Sequence, residues 1–548
     1  MVRLVISLLT FLCKVVRALG LSVGNYQATL TIEGFKGVMQ FDENESINTD
    51  MKYAADARNF DTRDGNLLPL AGAVETTPRL SNSAAGNVGV FSLGRKVSRW
   101  QLGPKVLSVG GEIGQSENIR FVQTLFTPGN EVSVSYPPLG SLDSPAPFQH
   151  SYVQYEYQDG QDYYDVLLVT VAGDDLRGIR VLRSGDGDFG MITVTTPYHF
   201  SVIARYGERI WGTGAAEAPD TICYSRAYNP LDWTQDTQIP EDGGGEIRQP
   251  TFDGEGFTAL VPFGNSLLAF KEHSLWRITG MSPDEFVFQQ QYGVGTIYPN
   301  TICVYQEAVY FLTDRGICRF DGAAVRSFQP YAMREVWRDH LNKNTDRHLP
   351  VATVWHDRYI LSFPTSAEDT HNTDAIIYDF AEGTWERVGA VLAAMAYAVL
   401  DDDLILLQPI DEITTKVAHW YGSIEETPTA SMPDVTDFRG FDWLTPWSDM
   451  GAKDILKNEF KLRFWIQTRM ASGDRLKLAV TVETERGSKT REIIFDRDVD
   501  EEIKMRFHLS GRKVRMRFKL TDQEGNEQIT SWCKIMGGMQ LNADTSPD

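Results

Sequence analysis

The sequence lacks paired cysteine. Five residues, Cys13, Cys223, Cys303, Cys318 and Cys533, are scattered over 548 positions with no C-x-x-C pair. That gives neither a disulfide framework nor a zinc knuckle, and the five read as small apolar side chains in a reducing compartment. Long apolar runs are lacking as well: the one membrane or targeting candidate, Leu4 to Cys13, is about half of a bilayer-crossing helix. Basic charge is in the minority, with 52 Lys plus Arg against 74 Asp plus Glu and a net charge of −22. This excludes a duplex-DNA reader that grips phosphates through a basic face.

Catalytic signatures are missing too: there is no Walker A, H-E-x-x-H or G-x-S-x-G, and no G-x-G-x-x-G at a strand-to-helix junction. The nine histidines, at 150, 199, 273, 340, 348, 356, 371, 419 and 508, never stand at i, i+2 or i, i+4 ligand spacing. No carboxylate pair stands out for glycosidase chemistry. The chain therefore reads as a non-enzymatic protein that calls for no cofactor or metal.

The first segment, residues 1–24, has three readings. Arg3 ahead of the apolar run resembles a secretory signal, yet Lys14 and Arg17 interrupt the stretch after that run; a short amphipathic helix or a misassigned start codon are the others. Beyond residue 24, the texture is short β-branched and aromatic runs bounded by Gly, Asp, Asn and Pro, which is the strand-and-turn signal. Helical periodicity is scarce, Met333 to Asn342 being the best stretch.

Several runs recur as a unit: a turn, a hydrophobic strand, a second turn, another strand carrying aromatic or charged residues, then a loop. Copies begin at Tyr206, Phe263, Tyr305 and Trp355, spaced by 57, 42 and 50 residues, with an earlier copy at Tyr163 to Leu182 and a later one at Leu404 to Tyr421. This period belongs to the blades of a β-propeller, and about six blades are expected within residues 25–442. A pair of large sandwiches or a β-helix is the alternative. Trp211, Trp233, Trp276, Trp355, Trp385 and Trp420 fall about once per copy, which fits packing between blades better than a sugar-binding ring.

Residues 443–548 differ. Residues 451–548 hold 19 basic and 16 acidic residues, net +3, whereas residues 1–450 carry 33 and 58, net −25. The runs at 460–467, 475–482, 490–495, 503–509 and 514–520 alternate apolar with mostly basic residues at period two, predicting a β-sandwich domain closed by 530–541. The expected fold is thus all-β: a propeller of about six blades, a C-terminal β-sandwich and a short N-terminal helical segment.

Five strings together resemble the propeller proteins of bacteriophage tails, known as nozzle, tail-hub, tail tubular B or DNA-stabilisation proteins. Ala54 to Pro69 with Ala71-Gly72 is similar to the family's opening N-x-D-x-x-x-G-x-L-x-x-R-x-G pattern, with Leu70 where a basic residue is common. Ala204 to Trp211, leading to Tyr224 to Thr234, resembles its S-x-x-x-N-P-x-D-W string. Leu268 to Gly280 and Tyr310 to Gly322 continue in order. The resemblance implies a structural virion protein, assembled in the host cytoplasm as a homo-hexameric ring below the portal and adaptor. Its implied partners are the adaptor ring, tail fibres or spikes, and double-stranded DNA passing without sequence-specific contact.

An acidic wall would repel phosphates and let DNA slide; ordinary acidic solubility is the alternative account of the charge. Candidate wall carboxylates are Asp174, Asp175, Asp186, Asp188, Asp401, Asp402 and Asp403. Turn formation is the other use of the Asp- and Gly-rich clusters at 184–190 and 401–403, ahead of calcium binding. Within the family strings, Asn229, Pro230, Asp232 and Trp233 read as a structural turn, and Gly264, Gly316 and Gly322 as freed backbone at strand turns. A secreted carbohydrate-binding propeller, a lectin or adhesin, is the rival reading.

Overall fold

The computed structural model describes residues 27–38, 51–62, 65–81, 89–93, 105–111, 119–125, 132–135, 150–171, 175–182, 189–250, 254–328, 337, 349–400, 403–409, 414–420, 422, 438–453 and 455–546. The expected helical segment at 1–24 lies outside these residues, as does the stretch around Met333 to Asn342 apart from Trp337. Among the described residues the fold is all-β, its strands joined by turns and short 3-10 segments. No helix there is long and apolar enough to cross a membrane. The chain forms two compact units, one of Glu75–Ala375 with Leu392–Trp420 and one of Met1–Val74, Ile376–Val391 and Tyr421–Asp548.

The first unit is a series of four-stranded antiparallel meanders in which neighbours in sequence are neighbours in space. The first sheet holds Gly89–Leu93, Lys105–Gly111, Ile119–Leu125 and Val132–Ser135, and the second His150–Asp159, Asp162–Val171, Leu176–Leu182 and Phe189–Val194. The third is Val202–Tyr206, Arg209–Thr213, Thr221–Tyr224 and Gly245–Arg248. The fourth is Phe257–Phe263, Ser266–Lys271, Leu275–Thr279 and Val287–Tyr292, and the fifth Cys303–Tyr305, Ala308–Thr313, Gly316–Phe320 and Val325–Ser327. Next in the chain is a hairpin of Val351–Trp355 and Arg358–Phe363. The last sheet takes Ala396–Leu400, Asp403–Pro409 and Thr414–Trp420 and completes itself with Val74–Ser81 from the far end of the unit.

Leading strands pack on one another in order, first sheet to second to third to fourth, and from the fifth through the hairpin to the last. Phe270 and Phe311, with ring centroids 5.1 Å apart, join the fourth and fifth sheets. The leading strand of the last sheet packs back on that of the first. The arrangement is propeller-like, and its antiparallel meanders are incompatible with a β-helix. Among the described residues of this unit there are six such sheets and the one hairpin, against about six expected repeats. The sheet that begins at Gly89 was not among the copies read from the sequence, and its leading strand, like those of the second and last sheets, lacks the frame of a closing aromatic residue and a two-residue turn that the other four share.

That frame explains the other copies. Tyr206, Phe263, Tyr305 and Trp355 each end or nearly end a leading strand, and a two-residue turn comes next. At Gly207-Glu208, Gln306-Glu307 and His356-Asp357 both turn residues have positive φ, between 44° and 61°. Such paired left-handed residues match the twist of the two strands they join. Gly264 serves the equivalent turn of the fourth sheet with φ of 54°. The aromatic side chains then meet the neighbouring sheet: Tyr206 donates its hydroxyl to the carbonyls of Asn265 (2.9 Å) and Gly280 (3.1 Å).

The second unit is a sandwich. One sheet runs Gln27–Ile32, Met539–Ser546, Leu456–Arg469, Asp500–Gly511, with Trp532–Ile535 also on Leu456–Arg469. The other includes Asp56–Arg58, Asp442–Leu444, Val514–Asp522, Leu476–Thr484 and Gly487–Phe495 in that order. The period-two reading holds residue by residue: Phe460, Leu462, Phe464 and Ile466 are buried while Lys461, Arg463, Trp465 and Gln467 are not. Phe464 meets Phe518 of the facing sheet at 6.0 Å. The single boundary expected at 442/443 is not where the compact units divide, because residues 27–74 and 376–391 supply strands to the sandwich unit. Those short strands carry too little periodicity to announce their partner.

Candidate functional site

The third sheet holds most of the chemistry. The stretch from Ser225 to Thr234 folds into a loop braced partly by its own side chains. Asn229 accepts the amide of Leu231 (3.0 Å), and Pro230 fixes φ within that turn. Asp232 accepts from the amide (2.9 Å) and hydroxyl (2.6 Å) of Thr234 and faces Arg226. These bonds outweigh partial burial and hold the Asp232 carboxyl below its ordinary pKa. Trp233 is buried against Phe200, with centroids 5.1 Å apart. Gly316 and Gly322 have φ of 116° and 86°, as turns at strand ends require.

Arg209 anchors this loop. Only 1% exposed, it donates to the carbonyls of Ser225 (2.8 Å), Gly243 (2.7 Å) and Glu241. Burial pushes its guanidinium pKa down, yet the carbonyl dipoles keep the charged form solvated. Lys271, wholly buried, does the same for the next loop through the carbonyls of Gln249 and Glu255, both at 2.9 Å. In the sandwich unit, Lys457 reaches the carbonyls of Ala452 (2.9 Å), Ile455 (3.1 Å) and Arg512 (2.7 Å). Sequence reading missed all three. The available signal was a cation at an inward position of an otherwise apolar strand, as in Ser266–Lys271.

Beside the third sheet lies a cleft of about 340 Å³. Glu246 and Arg248 project from the edge strand Gly245–Arg248, two residues apart and hence on one face. Arg248 donates through Nε to Asp220 Oδ2 (3.0 Å), a bond that holds the Asp220 carboxyl below its ordinary pKa. Tyr198 donates to Glu246 Oε2 (3.2 Å), and proximity to that carboxylate pushes the phenol up. Glu217 accepts the His199 amide (2.8 Å), and its pKa is lowered although burial opposes this.

Of the seven acidic candidates, two, Asp175 and Asp403, fall among the described residues. Asp174, Asp186, Asp188, Asp401 and Asp402 lie outside the described residues. Asp403 begins a strand of the last sheet. Asp175 stands ahead of Leu176–Leu182, half-exposed, with its carboxylate 3.5 Å from His199 Nε2.

One group of potential cation ligands forms only in the fold. Ligand atoms of Glu255, Glu272 and His273 come within 4.8 Å of one another, although no sequence spacing announces them. Glu255 is bound there by the His273 amide (3.0 Å) and by its ring nitrogen, which raises the imidazole pKa and opposes metal binding. The tryptophans are structural: Trp211, Trp233, Trp355, Trp385 and Trp420 are buried, Trp276 partly so. Trp211 packs with Tyr224 and Phe286 at 5.1 and 4.9 Å, in the core between the third and fourth sheets. Cys223 and Cys533 are buried and Cys303 and Cys318 partly so, all four as free thiols. Burial pushes the Cys223 and Cys303 thiols up to about 12, away from thiolate chemistry.

No family model and no curated protein sequence matches the chain. Similar solved structures include the WD40 domain of Pan2 from Neurospora crassa, at 10% identity and a TM-score of 0.34, covering 63% of this chain and 92% of that one. The extracellular domain of a hybrid two-component system from B. thetaiotaomicron is 9% identical with a TM-score of 0.39; the match covers 88% of this chain and 62% of that protein's length. The six-bladed propeller lectin of Aleuria aurantia matches at 10% identity and a TM-score of 0.32, over 57% of this chain and 98% of its own. These likenesses are too weak to bear on function.

Proposed function

We propose that the chain is a structural protein of a bacteriophage tail. It is a nozzle or hub subunit whose propeller platform assembles as a hexameric ring below the portal and adaptor and continues the DNA conduit. The observation that supports this is the placing of the family strings. Ala204 to Trp211 falls on the first two strands of the third sheet, and Leu268 to Gly280 and Tyr310 to Gly322 fall on the middle two strands of the fourth and fifth sheets, in order. After Tyr224 the string forms a loop in which Asn229 and Asp232 cap the amides of Leu231 and Thr234, so these motif residues are used in the turn itself. Residues used this way serve a repeated scaffold. The opening string supplies Asp56–Arg58 to the sandwich unit, pairing antiparallel with Asp442–Leu444.

In this reading the charge of −25 over residues 1–450 keeps passing duplex DNA from sticking, since an acidic wall offers phosphates no counterion-releasing contacts. The wall carboxylates are sought among Asp174, Asp175, Asp186, Asp188 and Asp401 to Asp403. The test is mass photometry and negative-stain microscopy of the purified protein, alone and with its adaptor ring. Rings of six, formed alone or on the adaptor, support the reading. A persistent monomer that ignores the adaptor overturns it. If the ring forms, charge reversal of carboxylates facing its opening should slow DNA release without preventing assembly; unchanged release rates would remove the sliding account.

A further inference from the structure

The cleft beside the third sheet has no part in the scaffold just described, and it is built rather than incidental. Its floor is the turn before Thr221–Tyr224, held by amide bonds from Ala218 to the Ala215 carbonyl (3.2 Å) and from Thr221 to the Ala218 carbonyl (3.1 Å). Gln249 and Phe257 donate their amides to the carbonyls of Asp220 and Pro219, both at 2.9 Å, which ties the far wall to that floor. Lys271 fixes the same wall from inside through Gln249 and Glu255. A β-carbon at Gly256 would stand 2.9 Å from Pro219 Cβ, so wall and floor are in close contact there.

The lining combines three carboxylates, Glu217, Asp220 and Glu246, with one guanidinium, Arg248, beside the apolar faces of Pro219 and Pro250. The surplus of negative charge disfavours an anionic ligand, and the guanidinium on the same strand face as Glu246 offers donors that a ligand of hydroxyl groups uses and a cation does not. Arg248 spends Nε on Asp220 and is 73% exposed over its side chain, so its terminal Nη groups face outward as a fork of donors. Glu246 accepts from Tyr198 at one oxygen and keeps its other oxygen as an acceptor. A fork of donors next to carboxylate acceptors is the complement of adjacent hydroxyl groups, each of which both accepts and donates. The proline faces suit the C–H side of a sugar ring. The volume of about 340 Å³ lies at the small end of ligand clefts, fitting one or two rings.

We propose that this cleft binds a neutral saccharide unit, with Arg248 donating to, and Glu246 accepting from, neighbouring hydroxyls over Pro219 and Pro250. The proposal does not rest on the tail reading, because binding and ring formation are measured separately. The test uses the full chain and methyl glycosides of neutral hexoses, N-acetylhexosamines and hexuronates, with spermidine as the cationic probe, read by saturation-transfer NMR and calorimetry. At least one neutral glycoside should bind with Kd of about 1–10 mM, as for a single shallow unit. Glu246→Gln and Arg248→Ala should each weaken it about tenfold or more. Glu246→Gln keeps an acceptor for Tyr198 and Arg248 is exposed, so both variants should match the parent in Tm and assembly. The proposal falls if no neutral glycoside binds by about 100 mM, if hexuronates or spermidine bind more tightly, or if both variants bind as the parent does.

Discussion

The two units solve the same problem, covering both faces of a sheet, in opposite ways. In the first unit each sheet comes from a short stretch of chain and is covered by the next copy; only Val74–Ser81 travels far to complete the last sheet. In the sandwich unit the first described strand, Gln27–Ile32, lies against Met539–Ser546, pairing Gln27 with Asp544 across nearly the whole sequence. Local pairing limits the loop entropy each contact must overcome, whereas pairing in the sandwich closes very long loops. Repetition is thus readable from a period, and long-range pairing is not.

The strongest way to break the comparison is to empty the sandwich core. Trp443 is fully buried, edge-on to Phe35 at 4.8 Å and near Phe518 at 6.3 Å. Trp443→Ala should cost about 4 kcal/mol. Urea titration followed by near-UV dichroism should show the loss in one transition only; a uniform shift of the whole curve would mean the two units unfold as one.

Arg209→Met comes next. It keeps volume but strips a cluster of buried carbonyls of their donor, at about 3 kcal/mol for the group. The loss should fall on the first unit, with amide exchange rising across 225–244. Exchange limited to residues 209–213 would show that the guanidinium does not hold the loop.

A pH effect separates the units further. His419, buried in the last sheet, has its pKa pushed down to about 4 by burial. The unfolded chain holds the proton near the ordinary value, so it binds more protons between about pH 6.5 and pH 4. His419 therefore costs nothing above pH 6.5 and removes stability progressively as pH falls towards 4, by up to about 3 kcal/mol. His419→Phe should flatten that part of the Tm-against-pH curve relative to the parent. Parallel curves for the two proteins would contradict the burial account.

The smallest expected effect is at a turn. Glu307 has a φ of 61°, which costs a side-chain-bearing residue about 1 kcal/mol that glycine avoids. Glu307→Gly should leave stability unchanged or raise it by up to about 1 kcal/mol, since glycine also loosens the unfolded chain. A drop above about 1 kcal/mol would show that the side chain itself supports the hairpin.

Much of this was legible beforehand for a physical reason. The recurrence of a turn followed by an apolar strand marked the copies at Tyr206, Phe263, Tyr305 and Trp355, because left-handed turns and strands restrict residue choice locally. Alternation marked Phe460 to Ile466, because a strand with one wet face must alternate. The cleft was not legible: Glu217, Asp220, Glu246 and Arg248 are ordinary surface residues in sequence, and only the turn at 215–221 and the edge strand bring them together. Arg209, Lys271 and Lys457 were equally hidden, since their partners are backbone carbonyls, which leave no trace in residue type.

What the sequence determined by itself was therefore composition-level and local: an acidic chain, all-β texture, the repeat period, the turn residues and the alternating strands near the C-terminus. The tertiary structure alone decided how the sheets of the first unit follow one another, which distant strands enter the sandwich, and where charged side chains meet. Those outcomes depend on contacts between residues far apart in the chain, and no local preference encodes a partner hundreds of positions away.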